Sequence, residues 1–156
     1  MSERWDNHFL RLSVETARMS KDPSTQVGAV IVGPDREIRS TGFNGFPRGL
    51  VDLPSRFADR ETKLSLIVHA EMNAVLNAAR IGTPLKGCTL YLAATDATGK
   101  IWGGPPCTRC TVELMQTGIS EIVSHAFKDV PSRWKESIET ARGLLQEAGV
   151  SYREIA

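Results

Sequence analysis

Val27-Gly28-Ala29-Val30-Ile31-Val32 is an apolar run entered from Gln26, followed by Gly33-Pro34-Asp35-Arg36 and then by Glu37 to Phe43. A short apolar run bounded by turn formers reads as a buried strand, and the segment beyond the turn as its returning partner in a hairpin. Upstream, residues 4–19 place Trp5, Phe9, Leu12, Thr16 and Met19 at steps of three and four, the spacing of an amphipathic helix. Ser20-Lys21-Asp22-Pro23-Ser24-Thr25 joins the two as a polar turn. Downstream, Asn44-Gly45-Phe46-Pro47-Arg48-Gly49 is dense in turn formers and reads as a loop.

A helix is expected over 66–81, with Ile67, Met72, Val75, Leu76 and Ala79 on one side. Cys88 to Ala93 reads as a strand, and Ala94 to Pro106 as a long loop. A short helix over 108–117 ends at Gly118, and Glu121 to His125 is a further strand. A last helix around 132–147 stops before Gly149 and a terminal strand, Val150 to Arg153. The order α-β-β-α-β-α-β-α-β predicts an α/β fold: three α/β/α layers around a mixed sheet of about five strands.

The chain has 156 residues, room for one domain, and 41% of them are hydrophobic. Nineteen Lys and Arg against 18 Asp and Glu leave a formal net charge of +1, spread evenly along the chain. With no basic arm, duplex nucleic acid is not an expected partner. No apolar run approaches the ~18–20 residues that span a bilayer, and Met1-Ser2-Glu3-Arg4-Trp5 does not open a signal peptide. A secreted, membrane or disordered protein is disfavoured. Three cysteines do not make a disulfide scaffold, and a Cys-x-x-Cys pair belongs to metal or redox chemistry in a reducing compartment. The cytoplasm is the expected location.

That pair is Cys107 and Cys110, preceded by Pro105-Pro106 and, further upstream, by His69-Ala70-Glu71. One imidazole and two thiolates suit a tetrahedral zinc with its fourth position open to water. Cys107 and Cys110 stand one helical turn apart at a helix start, where the helix dipole favours thiolates. Glu71, two residues beyond the ligand histidine, can face the bound water without binding the metal. An open zinc beside a carboxylate is hydrolytic rather than structural. A structural zinc would need a fourth ligand, for which only Cys88, His8 and His125 are strong candidates. Cys88 reads as a buried small hydrophobe, and the two histidines as ordinary polar residues.

His-x-Glu followed by Pro-Cys-x-x-Cys is the signature of the zinc nucleobase deaminases. The sequence resembles the cytidine and deoxycytidylate deaminase superfamily, and within it most closely the deoxycytidylate (dCMP) branch. The narrower likeness rests on Ser20-Lys21-Asp22-Pro23, the strand 26–32, Gly42-Phe43-Asn44-Gly45-Phe46-Pro47-Arg48-Gly49, His69-Ala70-Glu71-Met72-Asn73-Ala74 and Pro106-Cys107-Thr108-Arg109-Cys110. It covers nearly the whole chain and implies a single zinc-dependent deaminase domain over 1–156. One departure stands out: Ala94 to Gly104 intervenes before Pro-Cys where related chains run on almost directly. That loop leads into the metal site and is expected to border the substrate pocket, with Trp102 near C5 of the ring.

The resemblance implies hydrolysis of dCMP to dUMP and ammonia, with one zinc ion per chain held by His69, Cys107 and Cys110. Glu71 would move protons from water to ring N3 and to the leaving amino group. Asn44 would hydrogen-bond the nucleoside and the Ala70 N–H the pyrimidine oxygen. Ser24 and Lys128 are candidates for the 5′-phosphate. In regulated members the Asn-Gly-x-Pro-x-Gly region takes part in effector binding. Phe46, Arg48 and Gly49 are thus a candidate site for dCTP or dTTP, with Mg2+ accompanying the triphosphate. A homo-oligomer, a hexamer by preference, is also implied. Rival readings are a tRNA adenosine deaminase, a free cytidine or cytosine deaminase, an enzyme for a 5-substituted dCMP, and a zinc-stabilised interaction module. Near-neutral charge and the Gly-Phe-Asn-Gly loop count against the tRNA enzyme, and comparison of dCMP with deoxycytidine separates the free-base reading.

Overall fold

The computed structural model describes residues 2–127 and 132–156, in the latter segment with side chains from 134 onward. The elements are α1 (Glu3–Ala17), β1 (Thr25–Val32), β2 (Ile38–Phe43), α2 (Pro54–Ala58), α3 (Arg60–Leu66), α4 (Ala70–Ile81), β3 (Thr89–Asp96), β4 (Ile101–Trp102), α5 (Thr108–Gln116), β5 (Glu121–His125), α6 (Ser132–Glu147) and β6 (Ser151–Ile155). The sheet runs β2-β1-β3-β5-β6, with the short β4 paired to β3. β1 is antiparallel to β2 and β3, whereas β3, β5 and β6 are parallel. This is the mixed sheet expected from the element order.

Alternation along the strands sorts the core into two clusters. Val30, Val32, Tyr91 and Val123 face α1, where Phe9 and Leu10 meet them. Ala29, Ile31, Leu90, Leu92 and Ile122 face the other way, against Ala70, Ala74 and Ala78 of α4, Leu114 of α5 and Leu145 of α6. Two glycines let the helices come close. A Cβ on Gly28 would lie 2.1 Å from the Ser13 carbonyl oxygen, and one on Gly42 2.2 Å from the Ala74 nitrogen. α4 therefore lies hard against the hairpin. It also covers the edge strand: the Asn73 and Asn77 amides donate to the Phe43 and Thr41 carbonyls, both at 2.7 Å. These two contacts satisfy carbonyls that an edge strand would otherwise leave free.

Several boundaries differ from expectation. The helix expected from 66 begins at Ala70, because Val68 is drawn into a bridge with Gly45 and His69 is extended (ψ 156°). The charged stretch before it holds α2 and α3, the second capped by the Asp59 carboxylate accepting from the Thr62 N–H at 3.0 Å. The expected loop 94–106 is partly sheet. β3 continues to Asp96, whose carboxylate closes a turn by accepting from the Thr98 and Lys100 N–H groups, and Trp102 returns opposite Ala94. The buried faces are rotated as well. α1 buries Asp6, Phe9, Leu10, Ser13 and Ala17, leaving Met19 64% exposed, and α4 buries Ala70, Ala74 and Ala78 while Leu76 stays 47% exposed and Ala79, expected on the buried side, is exposed.

Candidate active site

The parallel strands β3 and β5 are joined through α5, and crossovers of this kind place ligand sites at the carboxyl ends of the strands. Antiparallel pairing brings the start of β1 to that rim, since Thr25 lies opposite Asp96. The end of β2 comes there too, with Phe43 opposite Gly28. Two helices also begin there. His69 is the N-cap of α4 and Cys107 the N-cap of α5, both extended, with Cys110 one turn into α5. Their positive ends converge on the same point.

The donor atoms of His69, Cys107 and Cys110 all lie within 4.8 Å of one another. His69 Nδ1 is 3.5 Å from Cys107 Sγ and 3.4 Å from Cys110 Sγ. A tetrahedron with metal–nitrogen and metal–sulfur distances of ~2.0–2.3 Å has edges of ~3.6 Å, so these three groups fit zinc and leave its fourth corner open. Among the described residues, no other group of three His, Cys, Asp or Glu side chains has this spacing. Cys88 lies just before β3, packs in the hydrophobic core and is not among the grouped donors, so it is a core residue and not a fourth ligand.

Protonation follows from this crowding. The Cys107 thiol is pushed down to about 4 by a hydrogen bond from Cys110 and a further one from His69. Cys110 is pushed up, since it donates to that thiolate and is buried beside Glu71. His69 is raised to about 9 by its hydrogen bond with Cys107, against the effect of burial. One thiolate is thus ready to bind a cation, and a divalent metal displaces the remaining protons. Glu71 sits in the first turn of α4, is 4% exposed, and lies within hydrogen-bond reach of Cys110. Burial pushes its carboxyl up, partly offset by the His69 charge.

The other expected site residues are placed as follows. Ala70 is the first residue of α4, so its N–H is one of the four that a helix start leaves without an intrahelical acceptor. Asn44 is 6% exposed and well occupied: Oδ1 accepts from the Val27 N–H at 2.7 Å, and Nδ2 donates to the Thr25 carbonyl at 2.9 Å. It fixes the end of β2 against the start of β1. Ser24 Oγ donates to Asp22 Oδ1 at 2.8 Å. Lys128 lies outside the described residues. Phe46 stacks on Phe57 at 4.4 Å, Arg48 donates to Asn77 Oδ1 at 2.6 Å, and Gly49 has a left-handed φ of 90°. Trp102 stacks on Phe127 at 4.9 Å, two residues beyond the end of β5 at His125. His8 packs edge-on against Trp5, while His125 Nε2 is buried and finds no partner among the described residues.

Sequence reasoning missed Lys63 and the role of Asp22. Lys63 Nζ lies 2.8 Å from the Asp22 carboxylate and 2.8 Å from Ser24 Oγ. The Asp22-Pro23-Ser24 turn signals that an aspartate accepts from N–H groups just downstream, but no local pattern links it to a lysine 41 positions away. A surface cleft of about 380 Å³ runs beside Ser24 and Gln26 and is walled opposite by Thr95 and Ile101, but includes none of the metal-site residues.

An open three-donor metal corner with a buried carboxylate beside it, at the starts of two helices, suits metal-assisted hydrolysis. The sequence profile of the cytidine and deoxycytidylate deaminase zinc-binding region matches residues 3–126, and the chain belongs to that family. It is 37% identical over 151 residues to an uncharacterized deaminase in the luxG 3′ region of Aliivibrio fischeri, covering 96% of this chain and 92% of that one. It is 35% identical over 155 residues to human deoxycytidylate deaminase, covering 96% of this chain and 79% of the human one. The fold is shared with dCMP deaminase of the cyanophage S-TIM5, solved with dCMP and dUMP: the TM-score is 0.71 at 19% identity, over 99% of each chain.

Proposed function

We propose that the chain, as one domain over residues 1–156, converts dCMP and water to dUMP and ammonia, supplying dUMP for thymidylate synthesis. The observation that carries this reading is the tetrahedral spacing of His69, Cys107 and Cys110 with Glu71 buried beside them. Near full-length likeness to deoxycytidylate deaminases narrows the substrate. His69, Cys107 and Cys110 would hold a zinc ion, which would supply a water more acidic than the ~15.7 of bulk water. Glu71 would take a proton from the attacking water and hand it to ring N3, which makes C4 electrophilic. The water oxygen would bond to C4, and Glu71 would carry the remaining proton of that oxygen to the amino group as the C4 carbonyl forms. The C4–N bond breaks and ammonia leaves. A carboxyl raised by burial suits both transfers, because its pKa lies closer to working pH. The Ala70 N–H orients the pyrimidine oxygen, and Asn44 holds the rim that receives the sugar.

Two finer assignments belong to the same reading. Phe46, Arg48 and Gly49, ordered by the Phe57 stack and the Asn77 contact, form the surface for a deoxynucleoside triphosphate effector such as dCTP or dTTP, carried with Mg2+. Exposed Leu50, Val51, Leu53 and Leu64, with Leu76 and Ile81 on α4, support self-association, as a hexamer. No helix among the described residues is long and apolar enough to cross a membrane, and thiolate ligands suit a reducing cytoplasm. The test is ammonia release from the zinc-loaded protein over dCMP, deoxycytidine, cytosine and 5-methyl-dCMP. Two charge-assisted hydrogen bonds to the phosphate, each worth ~1.5–3 kcal/mol, would favour dCMP over deoxycytidine by about two to four orders of magnitude in kcat/KM. Comparable values for the two substrates would refute the nucleotide assignment.

A further inference from the structure

We infer that Lys63, with Ser24 beside it, is the cation that receives the 5′-phosphate of the substrate, an assignment that rests on the nucleotide reading above. Lys63 belongs to α3, far from Ser24 and Asp22 in sequence, yet its ammonium is 2.8 Å from both the Ser24 hydroxyl and the Asp22 carboxylate. Its side chain is 17% exposed, against 70% for Lys21 and 82% for Arg109, whose charges are solvated. A lysine normally surrenders much side-chain freedom to hold one position. Here Asp22, 3% exposed at its side chain, has already imposed that position, so a ligand meets a cation fixed in place.

Asp22 does not depend on the ammonium alone. It also accepts from the Ser24 and Thr25 N–H groups at 2.9 and 3.3 Å, and from the Asn44 amide at 3.4 Å. The Lys63 ammonium, with three protons to donate, can therefore meet an incoming oxyanion without leaving Asp22, and the Ser24 hydroxyl can rotate towards it while the carboxylate keeps its backbone donors. Short contacts tie the pair to the metal corner. Asn44 precedes Gly45, which exchanges hydrogen bonds with Val68 at 2.9 and 3.1 Å, and Val68 precedes His69. The cluster and the metal corner thus share one rim, the arrangement a nucleotide needs if its base reaches zinc while its phosphate stays at the edge.

The experiment compares kcat/KM for dCMP with kcat/KM for deoxycytidine in the parent, Lys63→Met, Lys63→Arg and Ser24→Ala. A damaged fold lowers both values together, whereas a lost phosphate contact lowers their ratio. Lys63→Met should reduce the ratio by about tenfold to a hundredfold, the value of one charge-assisted hydrogen bond, through KM for dCMP. Lys63→Arg should restore most of it. Ser24→Ala, which leaves the ion pair in place and serves even if Lys63→Met does not fold, should lower the ratio by a smaller factor. A high parent ratio preserved in Lys63→Met or Ser24→Ala overturns the assignment alone. A parent ratio near one overturns the nucleotide reading and this assignment with it.

Discussion

Two carboxylates are buried on opposite faces of the same sheet, Asp6 at 1% exposure under α1 and Glu71 at 4% at the start of α4. Burial pushes both up, but their partners differ. Asp6 accepts from the Tyr91 hydroxyl at 2.7 Å and from two Arg153 nitrogens at 3.0 and 3.2 Å. Those bonds outweigh burial and hold its carboxyl below the usual range. Glu71 faces thiols and an imidazole, and its carboxyl stays raised. A carboxylate locked as an anion joins elements, here α1, β3 and β6. One held near its proton can exchange it with a substrate. Partners rather than depth separate structure from chemistry.

The largest effect should come from the metal corner. Cys107→Ser or Cys110→Ser replaces a thiolate with a hydroxyl, a far poorer zinc ligand, so zinc and turnover should vanish together. Full zinc by elemental analysis in either variant would remove that cysteine from the ligand set. Next comes Glu71→Gln, nearly isosteric but unable to carry protons. It should keep zinc and bind dCMP while losing ~10²–10⁴-fold or more in kcat, since two transfers use the same group. Turnover within about tenfold of the parent would sink the role given to Glu71.

The metal corner was legible because its parts are local. Cys107-x-x-Cys110 and His69-x-Glu71 are each one helical turn or less, and a helix start fixes their side chains without help from distant residues. What had to be seen was tertiary. The Ala70, Ala74 and Ala78 stripe carries no strong apolar signal, yet it is what α4 buries, because Gly42 lets helix backbone approach strand backbone. The larger Leu76 and Ile81 point away. Likewise Val68 looks helical until Gly45 claims its N–H and carbonyl. Lys63 is one cation among 19, singled out only when the chain closes on Asp22.

On the other face, Asp6→Ala should act on stability and not on chemistry. It leaves the Tyr91 hydroxyl without this acceptor and removes one of the two carboxylates of Arg153, which keeps Glu121 at 2.7 Å. Breaking a fully buried pair costs ~3–5 kcal/mol, and the retained partner and partial exposure of Arg153 reduce this to ~2–3 kcal/mol. Urea unfolding should show a lower midpoint with an unchanged slope. With the protein folded, kcat/KM for dCMP should match the parent. A comparable loss of kcat/KM would mean that the two faces are coupled.

The smallest effect is the pH dependence of that difference. Asp6 has a folded-state pKa below its unfolded value of ~3.9, so in acid the unfolded chain binds the proton more readily. Its contribution to stability is therefore complete above the unfolded pKa and is lost as pH falls through the folded one. The stability gap between parent and Asp6→Ala should accordingly be constant from about pH 7 to about pH 5 and shrink below about pH 4. Zinc release in acid affects both proteins alike and cancels in the difference, because the metal corner lies across the sheet and distant sites add. Asp22, held down against its burial by hydrogen bonds from Lys63 and Ser24, follows the same sign, so Lys63→Met should show the same narrowing. A gap that stays constant down to about pH 3 would mean that Asp6 acts through packing and not as a charge.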